Sequence, residues 1–502
     1  MSGSAFTPIL GSPLFRKILA AFPEGEPVYL VGGSVRDHFL QRISHDLDFA
    51  LPGDALKKAR KVADALGGAY FPLNVDHNTG RVIYREADGT RFVLDFTRFR
   101  GPDLESDLRA RDLTINALAL DLHNPDVLVD PLGGLSDLRN GLLKPCSPTA
   151  FADDPLRILR AVRIAAGFGF RIPPQTGELM RKALPGLSQI SPERIRDELF
   201  QLLDGPSPAS GIQLLDHFGA LEHTFPELQD LKSVEQPPPH IEDVWHHTLS
   251  TLREMVRVTG VLGFVHDEEG SADLMMGLLA GRLGRFRERI SGHLAGDMNP
   301  DRSLRSLLRL AALYHDAGKP MSREVDETGR IRFHEHPRIG AEMAEKRARH
   351  LCLGNREVDR LRRIVAHHMR PLFLANEGQA PSRRAVYRYF RDTGEAGVDI
   401  CLLSLADMLA TYGPSLDQDH WLNLLDTVRV LLDGWWEQQD TIIDPAPVLD
   451  GTDLIEDLGL QPGPIVGELL EGLREARASG LIETRAEALD LARQLLAEKG
   501  QG

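Results

Sequence analysis

Hydrophobic and polar positions change their spacing once along this chain. Up to about Pro148 the apolar residues alternate or form short runs, which is typical of strands mixed with short helices. From Asp154 to Phe225 they recur three and four positions apart, as on one face of an α-helix. The pattern predicts an α+β fold with a small β-sheet head followed by an all-α body. The predicted strands are Pro27–Val31, Asp46–Leu51, Arg81–Arg85, Arg91–Thr97 and Ala117–Asp121.

The helical pattern lapses near Lys232, where the proline-rich segment Ser233–His240 (SVEQPPPH) predicts a linker and the clearest domain boundary. A chain of 502 residues is too long for one core, so several domains are expected. We predict four segments: a head (1–150), a helical neck (151–231), a helical domain (240–433) and a helical C-terminal segment (434–502).

Composition indicates a cytoplasmic protein. The three cysteines have neither metal-site spacing nor a disulfide framework, as in a reducing compartment. The start, MSGSAFTPILGSPLF, has no basic flank or long apolar run, so no export signal is expected. No run approaches the roughly 18 uninterrupted apolar residues of a membrane span. A net charge of −15 argues weakly against a nucleic-acid partner, but Lys346–Arg391 and Arg157–Lys182 are basic enough to hold a phosphate backbone locally.

The stretch Leu30–Ala50, LVGGSVRDHFLQRISHDLDFA, carries the most informative motif. Residues two apart on a strand point to the same face, so Asp46 and Asp48 can share one site. Such a pair can hold two hard cations such as Mg²⁺, as in-line nucleotidyl transfer requires. Gly32 and Gly33 let the backbone approach a phosphate closely. An isolated Asp-x-Asp is more often two surface acids in a turn, and the GGSVRD just upstream argues against that reading.

This signature resembles the class II tRNA nucleotidyltransferases and poly(A) polymerases, the family of the CCA-adding enzymes. The resemblance covers most of residues 30–204 and continues in the family's order through RFVLDFTRF, DLRARDLTINALA, VDPLGGLSDL, ADDPLRILRAVRI and ISPERIRDEL. It implies a template-independent enzyme that adds nucleotides to tRNA 3′ ends, using either CTP alone or both CTP and ATP. Within the family, full CCA addition, A addition and poly(A) synthesis are alternatives.

The resemblance implies roles for the acidic residues of the head. Asp46 and Asp48 would hold two Mg²⁺ ions, one activating the RNA 3′-hydroxyl and one binding the triphosphate. Asp95, in RFVLDFTRF, would be the third acid. The glycine turn and Arg36 would contact the triphosphate.

Two further motifs would read the nucleotide. Arg111 and Asp112 match the end of an Arg-Arg-Asp motif that contacts the ribose. Ala110 stands where the family has the first arginine, so either fewer contacts suffice or Arg109 substitutes.

Asp154 and Arg157, spaced i, i+3, would share one helix face and select the Watson–Crick edge of C or A. Arg160 and Arg163 would continue that face. The alternative for an arginine stripe is a solvated face or a set of ion pairs.

The stretch between Asp95 and the ribose motif, TRFRGPDLESDLRA, is short. In class II enzymes that complete CCA, a longer flexible loop here helps to switch the pocket from C to A. The short stretch resembles the CC-adding enzymes, so we predict CC addition.

The downstream helices hold a second constellation, which resembles the HD-type metal phosphohydrolases. Its residues are His247, His315, Asp316 and Asp407, in the order H…HD…D. Imidazole and carboxylate ligands on facing helices can hold a divalent metal and activate water. Candidate ligands for a second metal are His334 or His336 and His367 or His368.

The resemblance implies hydrolysis of a phosphoester such as a 2′,3′-cyclic phosphate, or RNA binding alone. A different class of enzyme would have HD phosphohydrolysis as its main activity and a head that only binds RNA. The C-terminal segment would contact the tRNA.

Overall fold

The computed structural model describes residues 12–23, 25–124, 126–263, 273–299 and 302–499. Most of the N-terminal stretch that was read for an export signal lies outside these ranges. The chain folds as two compact units: the first contains Met1–Glu198 and Leu214–His223, and the second contains Leu199–Gln213 and Thr224–Gly502.

The first unit contains a seven-stranded mixed sheet with the order β3-β4-β5-β2-β1-β6-β7. Its strands are β1 (Tyr29–Val31), β2 (Asp46–Leu51), β3 (Ala69–Asn74), β4 (Thr79–Arg85), β5 (Arg91–Arg98), β6 (Ala119–Asp121) and β7 (Leu128–Val129). Strands β2 and β5 are parallel, and the other neighbours are antiparallel. The five predicted strands are confirmed with small shifts at their ends. Strand β3 was missed because this edge strand is mostly exposed and shows no alternation.

Alternation along β2 and β5 explains which face of the sheet is buried. Leu47 and Phe49 alternate with the two aspartates of β2 and are buried. The Phe49 ring stacks on Phe96 of β5 with centroids 4.7 Å apart, and Phe15 lies 6.3 Å from Phe49. The apolar face of the sheet therefore forms the core of the head, and the aspartates stand on the opposite face.

Helices surround this sheet and continue the chain, which confirms the predicted α+β class. Those within the first unit are α1 (Pro13–Ala20), α2 (Gly33–Phe39), α3 (Ala55–Leu66), α4 (Leu104–Arg109), α5 (Gly134–Arg139), α6 (Ala150–Asp153), α7 (Arg157–Phe168) and α8 (Pro174–Ala183). Three more have residues in both units: α9 (Pro192–Asp204), α10 (Pro208–Phe218) and α11 (Leu221–Thr224).

The second unit is almost wholly helical, with two short hairpins, β8–β9 (Asp297–Asn299 and Arg302–Ser303) and β10–β11 (Arg323–Val325 and Ile331–Phe333). Its helices are α12 (Val244–Val261), α13 (Leu274–Leu283), α14 (Arg287–Ala295), α15 (Leu304–Tyr314), α16 (His336–His350), α17 (Asn355–His367), α18 (Arg370–Ala375), α19 (Arg383–Thr393), α20 (Ala396–Tyr412), α21 (Gln418–Glu437), α22 (Gly451–Leu458), α23 (Pro464–Ser479) and α24 (Arg485–Lys499).

The predicted segment boundaries do not all fall between elements. Helix α21 runs across the boundary drawn at 433/434, and α6 runs across the one at 150/151. The predicted linker Ser233–His240 lies inside the second unit. Downstream, Leu449, Leu454, Leu469 and other residues up to Ala492 form a separate hydrophobic cluster.

Helix α20 is the most apolar part of the second unit. Together with the residues up to Ser415, it is long and apolar enough to span a membrane by length and composition, with a mean hydropathy of 1.3. In the fold, 83% of that window is buried inside the protein. It therefore packs as a core helix, and one of its residues, Asp407, belongs to the second candidate site described below.

Candidate active sites

Sheet register brings the carboxylates of the head together. Asp46 and Asp48 stand two residues apart on β2, and Asp48 lies directly opposite Asp95 of the parallel strand β5. Paired residues on neighbouring strands point to the same face and are about 4.8 Å apart. The common face expected from the sequence is therefore present.

Asp95 already has a cationic partner in this arrangement. Arg81 lies opposite Asp95 on the antiparallel strand β4. Its Nε donates to Oδ1 at 2.8 Å and its Nη2 donates to Oδ2 at 2.8 Å. A bidentate pair of this kind is among the stronger polar contacts in proteins. The sequence analysis missed Arg81, although its position two strands from Asp48 follows once the hairpin β4–β5 is paired.

The electrostatics around Asp48 favour a bound cation. Although the Asp48 side chain remains accessible to solvent, the surrounding protein desolvates its carboxylate and raises its pKa to about 6. Asp95 and Asp46 add like charge that raises the pKa further, and Arg111 and Arg160 oppose the rise. A divalent cation would relieve this repulsion, and oxygen ligands suit Mg²⁺.

Gly32 leaves the space that Asp48 needs. It has φ of +76°, a conformation that L side chains rarely adopt. A Cβ on Gly32 would lie 3.0 Å from Asp48 Oδ2 and 3.3 Å from Arg111 Nη1. At Gly33 a Cβ would lie 3.4 Å from the end of the Arg36 side chain, which is ordinary contact. Gly32 is therefore the constrained glycine of the pair.

Arg36 is held within the head. Its Nη1 donates to Asn116 Oδ1 at 2.8 Å, and its Nε donates to Asp37 Oδ1 at 2.8 Å. Its guanidinium also lies 4.8 Å from the centre of the Phe168 ring. The predicted contact with a triphosphate stays a prediction, and these contacts give Arg36 a role in joining α2 to its neighbours.

Arg111 and Asp112 are fixed by different partners. Arg111 Nε and Nη2 donate to Oδ2 of the buried Asp107 at 3.1 and 3.0 Å. Asp112 accepts from Asn116 Nδ2 at 3.1 Å and from Arg160 Nη1 at 3.3 Å. Burial alone would raise the pKa of Asp112, but Arg160 and Asn116 hold it below its usual value.

A cavity of about 900 Å³ opens beside these residues in the first unit. Asp112, Asp154 and Thr97 contribute to its wall, and so do six arginines. The arginines are Arg98, Arg100, Arg111, Arg157, Arg160 and Arg194. Ligand sites in proteins typically occupy about 300–1,000 Å³, so a nucleotide fits this volume.

The predicted helix face that carries Asp154 and Arg157 is wrong. Helix α6 ends at Asp153, Asp154 has an extended conformation with φ −146° and ψ 96°, and α7 begins only at Arg157. The reason is local: Pro155 disfavours helical geometry in the residue before it. Both residues nevertheless line the cavity. Asp154 Oδ2 accepts from Arg194 Nη2 at 2.8 Å.

Arg160 and Arg163 share one buried acid. Arg160 Nε donates to Glu198 Oε1 at 3.1 Å, and Arg163 Nε donates to Glu198 Oε2 at 2.9 Å. Arg160 lines the cavity, whereas Arg163 is not part of its wall. Arg163 therefore forms an ion pair, as the alternative interpretation of these arginines expected. Its predicted contact with a nucleotide stays a prediction.

The second constellation is buried in the second unit. Asp407 comes from α20, His247 from α12, and His315–Asp316 directly follow α15. His247 Nε2 lies 3.1 Å from Asp407 Oδ1 and 3.3 Å from His315 Nε2. His315 Nε2 lies 3.2 Å from Asp316 Oδ2. The four ligands predicted from the sequence therefore converge at one place.

A second group of ligands shares Asp316 with the first. Ligand atoms of Asp316, His336 and His368 all lie within 4.8 Å of one another, as do those of His247, His315 and Asp316. For the second metal, the sequence left open His334 or His336 and His367 or His368. The structure places His336 and His368 next to Asp316. Among the described residues, neither His334 nor His367 belongs to either group of candidate ligands.

The ring nitrogens of these histidines fit a metal site. The Nδ1 atoms of His315, His336 and His368 each lie 2.8 Å from a backbone carbonyl oxygen three residues earlier. Donation from Nδ1–H to that oxygen leaves the Nε2 lone pair facing the carboxylates. Among the described residues, the buried Nε2 atoms of His336 and His368 have no hydrogen-bond partner. Burial and neighbouring histidines lower the pKa of His368 to about 3, so its ring is neutral, as a ligand must be.

Lys319 and His240 complete this site, and the sequence analysis missed both roles. Lys319 Nζ lies 2.6 Å from Asp316 Oδ2. Burial alone would raise the pKa of Asp316, but His315, Lys319 and His336 hold it well below its usual range. His240 lines an adjoining cavity of about 440 Å³ together with Asp316, Lys319 and Asp407. Lys319 in LYHDAGKP carried a usable signal, since it lies three residues after Asp316.

Most arginines of the basic run Lys346–Arg391 are neutralised inside the second unit. Arg360 pairs with Asp399 at 2.6 Å and Arg347 with Glu227 at 2.6 Å. Others pair with Asp359, Asp392 or Glu475. The sequence showed few acids within the run, but the fold brings acids to it from distant segments. These arginines therefore provide less free positive charge than the sequence suggested.

Three family models match the chain. The "Poly A polymerase head domain" matches residues 28–144, the "Probable RNA and SrmB- binding site of polymerase A" matches residues 169–232, and the "HD domain" matches residues 276–411. The first contains the carboxylates of the head sheet, and the third contains His315, Asp316 and Asp407. Families of both kinds generally use divalent metals, and in the HD domain two groups of side chains could hold a metal ion.

Similar proteins cover nearly the whole chain. An "A-adding tRNA nucleotidyltransferase" of Deinococcus radiodurans is 36% identical over 480 residues, which cover 94% of this chain and 96% of that protein. A "CC-adding tRNA nucleotidyltransferase" of Thermus thermophilus is 34% identical over 465 residues, with 91% of each chain covered.

Solved structures share the fold. A CCA-adding enzyme in complex with ATP has a TM-score of 0.61 at 21% identity and covers 99% of this chain and 98% of its own. The Thermotoga maritima CCA-adding enzyme complexed with tRNA has a TM-score of 0.54 at 20% identity, covering 96% of this chain and 98% of its own. With relatives of this identity and coverage and with the matched head, RNA-binding and HD models, the chain belongs to the tRNA nucleotidyltransferase family.

Proposed function

We propose that this chain is a template-independent nucleotidyltransferase that adds cytidines to the 3′ end of tRNA, using CTP and Mg²⁺. The observation that carries the proposal is the register of Asp48 against Asp95, beside Gly32 and the arginine-lined cavity. The relatives from Deinococcus radiodurans and Thermus thermophilus act on tRNA by their names.

The residues of the head would divide the work of transfer. Mg²⁺ bound to Asp46 and Asp48 would lower the pKa of the RNA 3′-hydroxyl and neutralise the triphosphate. Gly32 keeps space open beside Asp48, and Asp107 holds the Arg111 guanidinium in place. Asp154, which lies in the cavity wall, would accept a hydrogen bond from the base of the bound nucleotide. The base is then selected by protein side chains, with no nucleic-acid template.

The choice of CC addition rests on the segment 99–103. Only these five residues separate β5 from α4. Phe99 N–H donates to Leu51 O at 3.0 Å, and Arg100 N–H donates to Asp107 Oδ1 at 3.1 Å. Asp103 caps α4 by accepting from Ser106 N–H at 2.8 Å. A segment tied down at both ends has little freedom to reshape the pocket between C and A, and this supports a single nucleotide specificity.

Primer extension tests this proposal. tRNA transcripts ending at the discriminator base, after one C and after both, are offered Mg²⁺ with CTP, ATP or both. We expect two cytidines and no A, even with ATP present. Addition of the terminal A would instead make this a CCA-adding or A-adding enzyme, as in the Deinococcus radiodurans relative. Long A tails would indicate a poly(A) polymerase, and no extension would refute transfer.

A second activity is supported by the paired metal groups of the second unit. We propose that the HD domain hydrolyses a phosphoester such as a 2′,3′-cyclic phosphate. Metal ions there would supply an activated water. Lys319, next to Asp316 and on the wall of the 440 Å³ cavity, would bind a phosphate oxygen.

We further propose that the protein is located in the cytoplasm and that its C-terminal segment contacts tRNA.

Hydrolysis of 2′,3′-cyclic nucleotides with added Ni²⁺, Mn²⁺ or Mg²⁺ tests this second activity. We expect it to depend on His315 and Asp316 and to survive substitution of Asp46 and Asp48. Metal binding without turnover would restrict the domain to a structural or RNA-binding role. An enzyme with hydrolysis but no transfer would belong to the alternative class, with a head that only binds RNA.

A further inference from the structure

Arg100 occupies an unusual position in the wall of the cavity in the first unit. It lies in the short segment between β5 and α4, where no side chain was predicted to contact the nucleotide. Its Nη1 donates to Ala110 O at 3.3 Å. Arg157 Nη2 donates to the same oxygen at 3.0 Å. Two guanidinium groups therefore converge on one carbonyl.

The local charge is poorly balanced. Arg100 and Arg157 both donate to Ala110 O, and Asp107 bonds to the Arg111 guanidinium and to the backbone of Arg100. Asp107 Oδ2 is bound by the Arg111 guanidinium, and within the described part of the chain Oδ1 accepts the backbone N–H of Arg100 alone. Desolvation lowers the pKa of Arg100, and the charges of Arg111 and Arg157 lower it further, while Asp107 and Asp112 partly oppose this decrease. An anion in the cavity would relieve this repulsion.

Arg100 also has side-chain donors that none of the described residues accepts. A guanidinium has five N–H donors, and Ala110 O takes one from Arg100. Arg157 is more fully used, since its Nη1 also donates to Arg111 O at 3.1 Å and to Ala150 O at 3.2 Å. Although the surrounding protein partly desolvates its guanidinium, the Arg100 side chain is exposed and lines the cavity, so its remaining donors face a space that a ligand can enter.

We propose that Arg100, flanked by Arg111 and Arg157, forms a phosphate-binding subsite of the nucleotide cavity. The subsite lies where Ala110 interrupts the ribose motif. Arg109, the substitute considered from the sequence, instead forms an exposed pair with Glu105 at 2.7 Å and does not line the cavity. The ligand chemistry is a phosphate, supplied either by CTP or by the RNA backbone. This inference rests on the proposed function.

The test compares Arg100→Ala with Arg109→Ala in the full-length chain. For each variant we would measure the Kd for CTP with Mg²⁺ and the Kd for cytidine by calorimetry, and the KM for CTP and for tRNA. Loss of one charge-assisted hydrogen bond at a solvated site should raise the affected constant about tenfold for Arg100→Ala. Arg109→Ala should change each constant less than about twofold. Arg100→Lys, which keeps the charge, should recover part of the loss.

Comparison of these constants identifies which molecule supplies the phosphate. A raised Kd for CTP with an unchanged Kd for cytidine assigns the subsite to the nucleotide phosphates. A raised KM for tRNA with an unchanged Kd for CTP assigns it to the RNA backbone. Equal losses for CTP and cytidine, equal effects of the two arginine variants, or no effect of Arg100→Ala would each overturn the proposal. If the wild type transfers no nucleotide, the proposed function fails, and the CTP and cytidine arms still decide this inference.

Discussion

Arg81 and Asp95 form a bidentate ion pair on the face of the head sheet that carries Asp46 and Asp48, with both N–O distances at 2.8 Å. Asp95 pairs in register with Asp48, yet its charge is already offset by a neighbouring strand. The three acids of the head are therefore not equivalent. Asp95 can bind a cation only in competition with Arg81.

This difference predicts unequal effects of substituting the acids. Asp46→Asn and Asp48→Asn should each lower the rate of CMP transfer by about 10⁴-fold, since metal stabilisation of the transition state is lost. Asp95→Asn should cost only about 10–100-fold. Single-turnover primer extension measures the rates, with Asp88→Asn, in an exposed turn, as the unaffected control. Equal losses at all three positions would show that Asp95 leaves Arg81 to bind metal.

Gly32→Ala should reduce transfer more than tenfold while the protein remains folded. The new Cβ would meet Asp48 Oδ2 at 3.0 Å, and φ of +76° adds strain of about 1–3 kcal/mol. Gly33→Ala is the matched control, because its Cβ would meet only the flexible end of Arg36 at 3.4 Å. Transfer kinetics and thermal unfolding separate the two effects. Similar activity of the two variants would contradict the close approach at Gly32.

Adjacent histidines provide an internal control for the metal groups. His336→Ala or His368→Ala should remove about one metal ion per chain, because each deletes a ligand around Asp316. Phosphoester hydrolysis should fall with it, and CMP transfer should not change. His334→Ala and His367→Ala should keep the full metal content, measured by elemental analysis after dialysis. Metal loss in the control variants instead would mean that the ligands are misassigned.

Glu357 should make the second unit sensitive to acid. This buried carboxylate accepts from Arg302 Nε at 2.8 Å and from Gly354 N–H at 2.7 Å. Burial alone would raise the pKa of Glu357, but Arg302 and Gly354 hold it below its usual value. Its contribution to stability is therefore complete above the unfolded-state pKa of about 4.3, and is lost as the pH falls through the lower folded-state pKa.

Glu357→Gln should accordingly destabilise the second unit by about 3 kcal/mol at pH 7, and this deficit should shrink below about pH 4. All 4 tryptophans lie beyond residue 224, so tryptophan fluorescence during urea unfolding reports on this unit. Glu342→Gln, which breaks an exposed pair with Arg338, should cost less than about 1 kcal/mol. A deficit independent of pH would show that packing, and not charge, is responsible.

Local patterns in the sequence were sufficient for the α+β class and for the shared face of Asp46 and Asp48, whereas the convergence of His247, His315, Asp316 and Asp407 was expected from the resemblance to the HD-type phosphohydrolases. Residues two apart on a strand lie on the same face, whichever strands pair with it. The order of the HD ligands was likewise readable along the chain. The prediction that Asp154 and Arg157 share one helix face was wrong because helical spacing was assumed across Pro155, which interrupts the helix.

Only the tertiary structure decided which distant groups meet. Strand pairing puts Arg81 on Asp95, and the short segment after β5 brings Arg100 to the carbonyl of Ala110. Packing of the helices selects His336 and His368 over His334 and His367, since neighbouring residues on a helix or turn point in different directions. The sequence alone determined which chemical groups are present and their local faces, whereas long-range register and packing determined their partners, because those depend on segments far apart in the chain.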